Sequence, residues 1–330
     1  MAEEKEEEKA QENSDNQKSK YIKIIKRVVQ IVIAVLLLYL VFDLFWTETT
    51  LDTLRNVNVS FFILAIVFHL IALGVVAYRF KMLIEFKVKT TYKNVYWANL
   101  YGMLMGEVTP GKSGYFLCVL PLERKGIKKR ISLSCLIIIQ VMDFILRGAI
   151  GIFAVIYFTL YLQAIPLSES TWYIVISVGL IVLFLLGFYI LMYTSLPVRF
   201  LKRFNIPYKE KMLNGLEILH DTRTATRGRI WEILILTVLA WVLTGFRWVF
   251  IGYAFGLDLP IIAYLLLQPL ITLVSFIPIT IGGLGLLEGG VVKALNLLGV
   301  SEGKALAFVL GDRVAVVAAE AAGIKEHKFK

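Results

Sequence analysis

The sequence predicts an all-α, polytopic helical membrane protein. It has about six full spans, two broken or re-entrant helical hairpins and an internal repeat of inverted topology. Three observations predict this. The 330 residues are 58% hydrophobic and only 18% charged, with a mean hydropathy of +0.73, whereas a soluble domain averages about 45–50% apolar and about 25% charged. Several apolar runs reach the roughly 20 residues that an α-helix needs to cross a hydrocarbon core. Lys and Arg crowd some of the short loops between those runs and avoid others.

In chain order, residues 1–20 form an acidic, Gln/Asn/Ser/Lys-rich tail with nothing to bury, expected to be disordered. A basic cluster (Lys18, Lys20, Lys23, Lys26, Arg27) precedes the first apolar run. No small-residue cleavage site follows that run, so it reads as a retained span. Full crossings are expected over 28–46, 60–78, 131–160, 172–193, 231–255 and 304–321. Two further apolar regions, 95–122 and 261–299, are interrupted by Pro110, Gly111 and Gly114, and by Pro278, Gly282, Gly283 and Gly285. Non-helical backbone at membrane depth survives only where protein or a wet cavity satisfies it. Each region fits two full spans or a re-entrant hairpin; the broken sequence favours the hairpin, whose tip is then expected to line a cavity.

Basic residues set the orientation. They cluster before the first span and in 79–94, 123–130 and 195–230, while 47–59 holds only Arg55 and loops 161–171 and 256–260 hold none. Cytoplasmic loops carry the Lys/Arg excess, which puts both termini in the cytoplasm of a multi-pass protein of the cell (plasma) membrane. The same rule accounts for the net charge of +10 without nucleic acid. Loop 195–230 reads as a basic amphipathic element at the membrane surface, with Met212, Leu213, Leu216 and Leu219 on one helical face. Cys118 and Cys135 support neither a disulfide framework nor a metal site, and His69, His220 and His327 are scattered. His69, in an apolar helix, reads as a hydrogen-bonded packing residue. No metal or other cofactor is expected.

The two halves repeat a pattern. The first runs Ala77-Tyr78-Arg79-Phe80, then Thr109-Pro110-Gly111-Lys112-Ser113-Gly114, then Asp143 and Arg147. The second runs Gly245-Phe246-Arg247-Trp248, then Thr280-Ile281-Gly282-Gly283-Leu284-Gly285, then Asp312 and Arg313. With the orientation above, the first unit crosses inward, forms a hairpin from inside and crosses outward, and the second does the opposite. Inverted repeats with midplane sites built from broken helices are the architecture of many secondary transporters. Pro110-Gly111-Lys112-Ser113 lacks P-loop spacing and follows no strand, which excludes a nucleotide site.

Charges inside apolar segments cost at least about 2.5–3.5 kcal/mol at a helix centre unless paired or hydrated, and so mark function. Asp143, Arg147, Arg247 and Arg313 are such charges. Asp143 and Arg147, four residues apart, also fit a structural pair. Arg79 and Lys81 fall at a span end, where snorkelling is expected. Glu107, Lys112 and Glu288 flank the hairpin tips and fit interfacial charges. The candidate substrate-binding set is Arg79, Thr109, Gly111, Gly114, Asp143, Arg147, Arg247, Thr280, Gly282, Gly283, Gly285, Glu288 and Arg313. Arginine grips phosphate oxygens bidentately, which suits a phosphate-bearing amphiphile.

At these residues the sequence resembles the transmembrane domain of lysylphosphatidylglycerol synthases and its stand-alone, flippase-like relatives, over roughly 20–321. Pro278-Ile-Thr-Ile-Gly282-Gly283-Leu284-Gly285-Leu-Leu-Glu288 is similar to that family's Pro-x-x-x-Gly-Gly-x-Gly-x-x-Glu signature, and Arg247-Trp248 and Arg313 also fit. The first hairpin departs from the family's Pro-x-x-x-Gly-Glu-x-x-Arg: Pro110 and Gly114 match, but Tyr115 and Cys118 replace the acid and the arginine. Ile139-Gln140 stands where a Glu-Arg pair often precedes the acid of the next span, here Asp143. The resemblance implies movement of a phospholipid or polyprenyl-linked lipid between leaflets. It divides the chain into the 1–20 tail and a transmembrane domain, 21–325, with repeats at about 60–160 and 231–321. The expected partners are anionic or phosphate-bearing lipids, with a partner lipid-modifying synthase and a homo-oligomer both compatible. The alternatives are a polytopic transferase using Asp143 or Glu288 as base, and a scaffold for a lipid synthase. Short external loops without catalytic or metal motifs weigh against an enzyme.

Overall fold

In the computed structural model, residues 28–29, 32–33, 35–160, 194–203, 228–274 and 279–324 are described, with isolated helical residues between 175 and 217. The tail, most of the span expected at 172–193, half of loop 195–230 and Pro278 lie outside the described residues. The described chain is helical. In order it forms α1 (Val35–Phe45), then α2 (Glu48–Arg55), α3 (Val59–Ile84), α4 (Tyr92–Glu107), a 3-10 turn (Ser113–Cys118), α5 (Val119–Arg124) and α6 (Lys129–Leu160). The second half adds α7 (Leu196–Arg203), α8 (Ile230–Ala254), α9 (Ile261–Val274), α10 (Leu286–Leu297), α11 (Glu302–Glu320) and a closing 3-10 turn (Ala321–Ile324).

Three helices, α3, α6 and α8, are long and apolar enough to cross a membrane, with 26, 32 and 25 residues. At about 1.5 Å per residue each exceeds the roughly 30 Å hydrocarbon layer. Their faces are arranged for lipid rather than water. On α3, Ile63, Val67 and Ile71 form an exposed stripe at i, i+4 and i+8, while His69 and Arg79 are buried. That is the reverse of a soluble amphipathic helix. Asn58 starts α3 by accepting hydrogen bonds from the Ser60 and Phe61 amides at 3.2 and 3.4 Å. Thr91 starts α4 by accepting from the Asn94 amide at 3.4 Å.

The central packing is α3 against α8, and the two run antiparallel. The Asn58 amide donates to the Ala254 carbonyl at 2.8 Å, Phe68 packs on Phe246 and Phe250 in the middle, and Arg79 bonds Thr237 at the far end. These are the corresponding helices of the two sequence repeats, so the repeat is built antiparallel. Two apolar clusters sit at opposite ends of the pair. One gathers Ala65, Trp248, Tyr264 and Phe308; the other gathers Phe80, Leu83, Leu122, Leu136 and Ile233.

Both broken regions are hairpins, and their tips meet. The first consists of α4, a turn, the 3-10 turn and α5; the second consists of α9, a turn and α10. The Gly282 amide donates to the Thr109 carbonyl at 3.1 Å, and Pro110 and Ile281 form an antiparallel bridge. Pro110 and Ile281 are equivalent in the repeat, so the bridge joins like to like, as an approximate twofold axis between the tips requires. Gly111 and Lys112 have φ of 59° and 52°, and the equivalent Gly282 and Gly283 have 58° and 73°. The left-handed turn at each tip explains the glycines. Gly282 has a second reason: a Cβ there would lie 2.0 Å from the Glu107 carbonyl oxygen.

Candidate functional site

A cavity of about 200 Å³ opens where the two hairpins meet the α3–α8 pair. α3 supplies His69 and Arg79, the first hairpin Glu107 and Lys112, and α6 Gln140, Asp143 and Arg147. α8 supplies Thr237 and Arg247, α9 Gln268, and α11 Asp312, Arg313 and Glu320. Five residues of the expected set therefore share one wall: Arg79, Asp143, Arg147, Arg247 and Arg313. The remaining members, Thr109, Gly111, Gly114, Thr280, Gly282, Gly283, Gly285 and Glu288, do not line the cavity; they build the tips behind it.

The arginines are held in a pattern that repeats between halves. Arg79, fully buried, donates to both carboxylate oxygens of Asp143, at 2.6 and 3.0 Å, and to the Thr237 hydroxyl. It does not snorkel. The helix continues to Ile84, which leaves Arg79 a full turn inside the α3 end, beside the carboxylate that the four-residue spacing had offered to Arg147. Arg247 makes the equivalent ion pair with Asp312, at 3.4 Å, and the Trp248 indole donates to the same carboxylate at 3.2 Å. The first pair is tight and bidentate. The second is longer; the Nε of each arginine lacks a hydrogen-bond partner among the described residues, but only the second pair also leaves a carboxylate oxygen, Asp312 Oδ1, without one.

A second network ties both tips to α11. Arg313 donates to Glu288 at 2.7 Å, to Glu107 at 2.6 Å and to the Gly282 carbonyl at 2.8 Å. Lys112 bonds the other Glu107 oxygen at 2.6 Å. Glu288 also accepts from the Gly285 amide at 2.6 Å, closing the N-terminus of α10. Glu107 and Glu288 are thus buried within the protein, held by Arg313 and Lys112. In the first tip the Thr109 hydroxyl donates to the Met105 carbonyl at 2.9 Å and accepts from the Gly114 amide at 2.6 Å.

Glu320 is a cavity residue that the sequence pattern did not single out. It is 3% exposed, and its Oε1 lies 3.3 Å from His69 Nε2. Its signal was present: Glu320 follows Asp312 by eight residues, on the same helical face. His69 is buried as expected of a packing residue, but it packs against a carboxylate in the cavity wall. Among the described residues there is no group of three or more His, Cys, Asp or Glu side chains that holds a metal ion. Cys118 and Cys135 are buried and free.

No curated protein sequence matches this chain. A family model does: that of the lysylphosphatidylglycerol synthase TM region matches residues 27–321, which covers the α3–α8 pair, both hairpins and every residue of the cavity wall. The chain therefore belongs to the lysylphosphatidylglycerol synthase TM region family, and it is a membrane protein of lipid metabolism or translocation.

Proposed function

We propose that this protein is a flippase-like lipid translocase that moves a phosphate-bearing lipid, phospholipid or polyprenyl-linked, between the leaflets of the plasma membrane. The observation that carries the reading is the meeting of two broken hairpins, tip to tip, at one charge-lined cavity between antiparallel repeats. Repeats so arranged can rock about a shared site and expose it to each side in turn. Arg247 is the headgroup contact: its pair with Asp312 is a single long contact of 3.4 Å, where Arg79 is held at both carboxylate oxygens of Asp143, so Arg247 can turn its guanidinium fork to a phosphate. Arg147 lies in the same wall and adds a second cation. The tips, with Thr109, Gly111, Gly114, Thr280, Gly282, Gly283, Gly285 and Glu288, position Arg313 and Glu107 rather than touching the lipid. In this reading both termini face the cytoplasm, and a lipid-modifying synthase or a second copy of the chain is a compatible partner.

The transferase alternative is weaker on the same geometry. Asp143 is taken up by Arg79 and Glu288 by Arg313 and the Gly285 amide, so neither carboxylate is available as a base.

The test is reconstitution in liposomes carrying a headgroup-labelled anionic phospholipid in both leaflets, with reductant added outside. Translocation bleaches label beyond the outer leaflet's share, and Arg247→Ala removes the excess. If bleaching matches protein-free liposomes across anionic, aminoacylated and polyprenyl-linked lipids, the translocase reading is wrong.

A further inference from the structure

Among the described residues of the cavity, one buried acid, Glu320, is paired with an imidazole and not with an arginine or a lysine. Glu107 is held by Lys112 and Arg313, Asp143 by Arg79 and Asp312 by Arg247. A guanidinium does not give up its proton in a protein, so the arginine pairs keep their charge throughout any cycle. Glu320 faces an imidazole instead, at 3.3 Å. The pair can hold no proton, one shared proton or two, and each step changes the charge in the cavity by one.

Two further observations point the same way. Glu320 Oε2 and His69 Nδ1 are buried and have no hydrogen-bond partner among the described residues. Both residues line the cavity, so each carries a buried polar atom whose bonding capacity is unused beside a space that can hold water. The repeat makes the pair exceptional as well. Ten residues before Arg79 stands His69, and ten before Arg247 stands Thr237; eight after Asp312 stands Glu320, and eight after Asp143 stands Gly151. The second-half Arg–Asp pair thus has a titratable neighbour on each side, where the first-half pair has a hydroxyl and a glycine.

We propose that His69 and Glu320 form a proton-binding site in the cavity wall, exchanging a proton with the cavity beside the Arg247–Asp312 pair. The charges facing it are Arg247 from α8, Glu107 and Lys112 from the first hairpin, and Asp312 and Arg313 from α11; Asp143 and Arg147 face the same cavity from α6, and Arg79 from α3. Uptake of one proton adds one positive charge next to Arg247, and release removes it, so the proton load changes how strongly that arginine is drawn to Asp312 or to a lipid phosphate. On the translocase reading, which this step requires, the pair couples lipid movement to a proton gradient.

Infrared spectroscopy of the protein in dodecyl maltoside, titrated with pH, reads the site directly and without any lipid assay. Above the frequency of the solvated carboxyls that the other Asp and Glu residues contribute, the carbonyl stretch of a protonated carboxyl buried in the cavity wall should lose intensity as pH rises. It should be absent from Glu320→Gln and should titrate at a different pH in His69→Gln. A titrating band that survives Glu320→Gln, or no titrating band at all, overturns the site; a band indifferent to His69→Gln overturns the pair. Coupling is read in liposomes under a maintained pH gradient. One proton per lipid gives a leaflet asymmetry of up to about tenfold per pH unit, with Glu320→Gln relaxing to equal leaflets. Bleaching that proceeds with equal leaflets in the wild type overturns coupling. No bleaching even without a gradient overturns the translocase reading and the coupling with it, and the infrared result alone then decides the site.

Discussion

The two halves of the molecule use one plan for different ends. Each places an arginine on its first crossing helix and an aspartate on its last, 64 residues on in the first half and 65 in the second by the numbering of Arg79–Asp143 and Arg247–Asp312. In the first half the pair is bidentate and reinforced by Thr237; in the second it is stretched and faces His69 and Glu320. The tips differ in the same direction. The Gly114 amide is satisfied by a neutral hydroxyl, Thr109, whereas the equivalent Gly285 amide is satisfied by the carboxylate of Glu288, which Arg313 then draws into the network. The first half behaves as the anchor and the second carries the uncommitted charge. Duplication supplies the frame, and divergence at a few positions decides which copy stays free to act.

The largest effect is expected where the two halves are joined. Arg313 holds Glu107 of one tip, Glu288 of the other and the Gly282 carbonyl. Arg313→Met leaves two buried carboxylates short of their shared partner, and removing one member of a buried pair typically costs about 3–5 kcal/mol. The expected outcome is a lower midpoint of thermal unfolding in detergent than for any other single substitution in the cavity, with translocation lost. A midpoint like the wild type would mean that the tips hold together without the network.

The next effect separates the halves. Arg79→Met takes from Asp143 its bidentate partner, while the Thr237 hydroxyl keeps its bond to the Ile233 carbonyl, and it should destabilise less than Arg313→Met, by about 3 kcal/mol. The double substitution with Asp143→Leu should recover much of the loss, since an apolar pair replaces a buried ionic one at little cost. Arg247→Met should destabilise less, because its pair is longer and Asp312 keeps the Trp248 indole, yet it should abolish translocation. Equal stability losses for the two arginines would erase the distinction between anchor and working copy.

Much of this was legible in the sequence. Helix class follows from the long apolar runs, and the hairpins follow from Pro110, Gly111 and Gly282, whose turn geometry no other reading of an apolar segment requires. The inverted relation was expected because the basic loops suggest an orientation independently of the repeated motif, and the antiparallel run of α3 and α8 agrees with it. What the sequence did not disclose is which charge meets which. Local spacing relates Asp143 to Arg147, four residues on, but nothing local signals its bidentate partner Arg79, on another helix and 64 residues away. Glu107, Lys112 and Glu288 read as interfacial because the side chain that gathers the two acids, Arg313, lies on another helix, 206 residues from the first and 25 from the second. Glu320 was hidden at the end of a span, where an acid ordinarily meets water.

The smallest effect tests the comparison at one pair of equivalent atoms. Thr109 and Thr280 open the two tips at matching positions, but only the first hydroxyl is used. Thr109 Oγ1 donates to the Met105 carbonyl and accepts from the Gly114 amide, while Thr280, fully buried, has no partner for its hydroxyl among the described residues. Thr109→Val therefore leaves a buried amide unsatisfied, a loss of about 1–3 kcal/mol, and should lower the unfolding midpoint measurably. Thr280→Val removes a hydroxyl that bonds nothing in the protein and should leave the midpoint where it is. If Thr280→Val nonetheless slows translocation at unchanged stability, its hydroxyl serves the moving lipid or the water around it, and the second tip takes part in transport directly. If both substitutions lower the midpoint alike, the tips are interchangeable structural turns and the asymmetry between the halves resides in the arginine pairs alone.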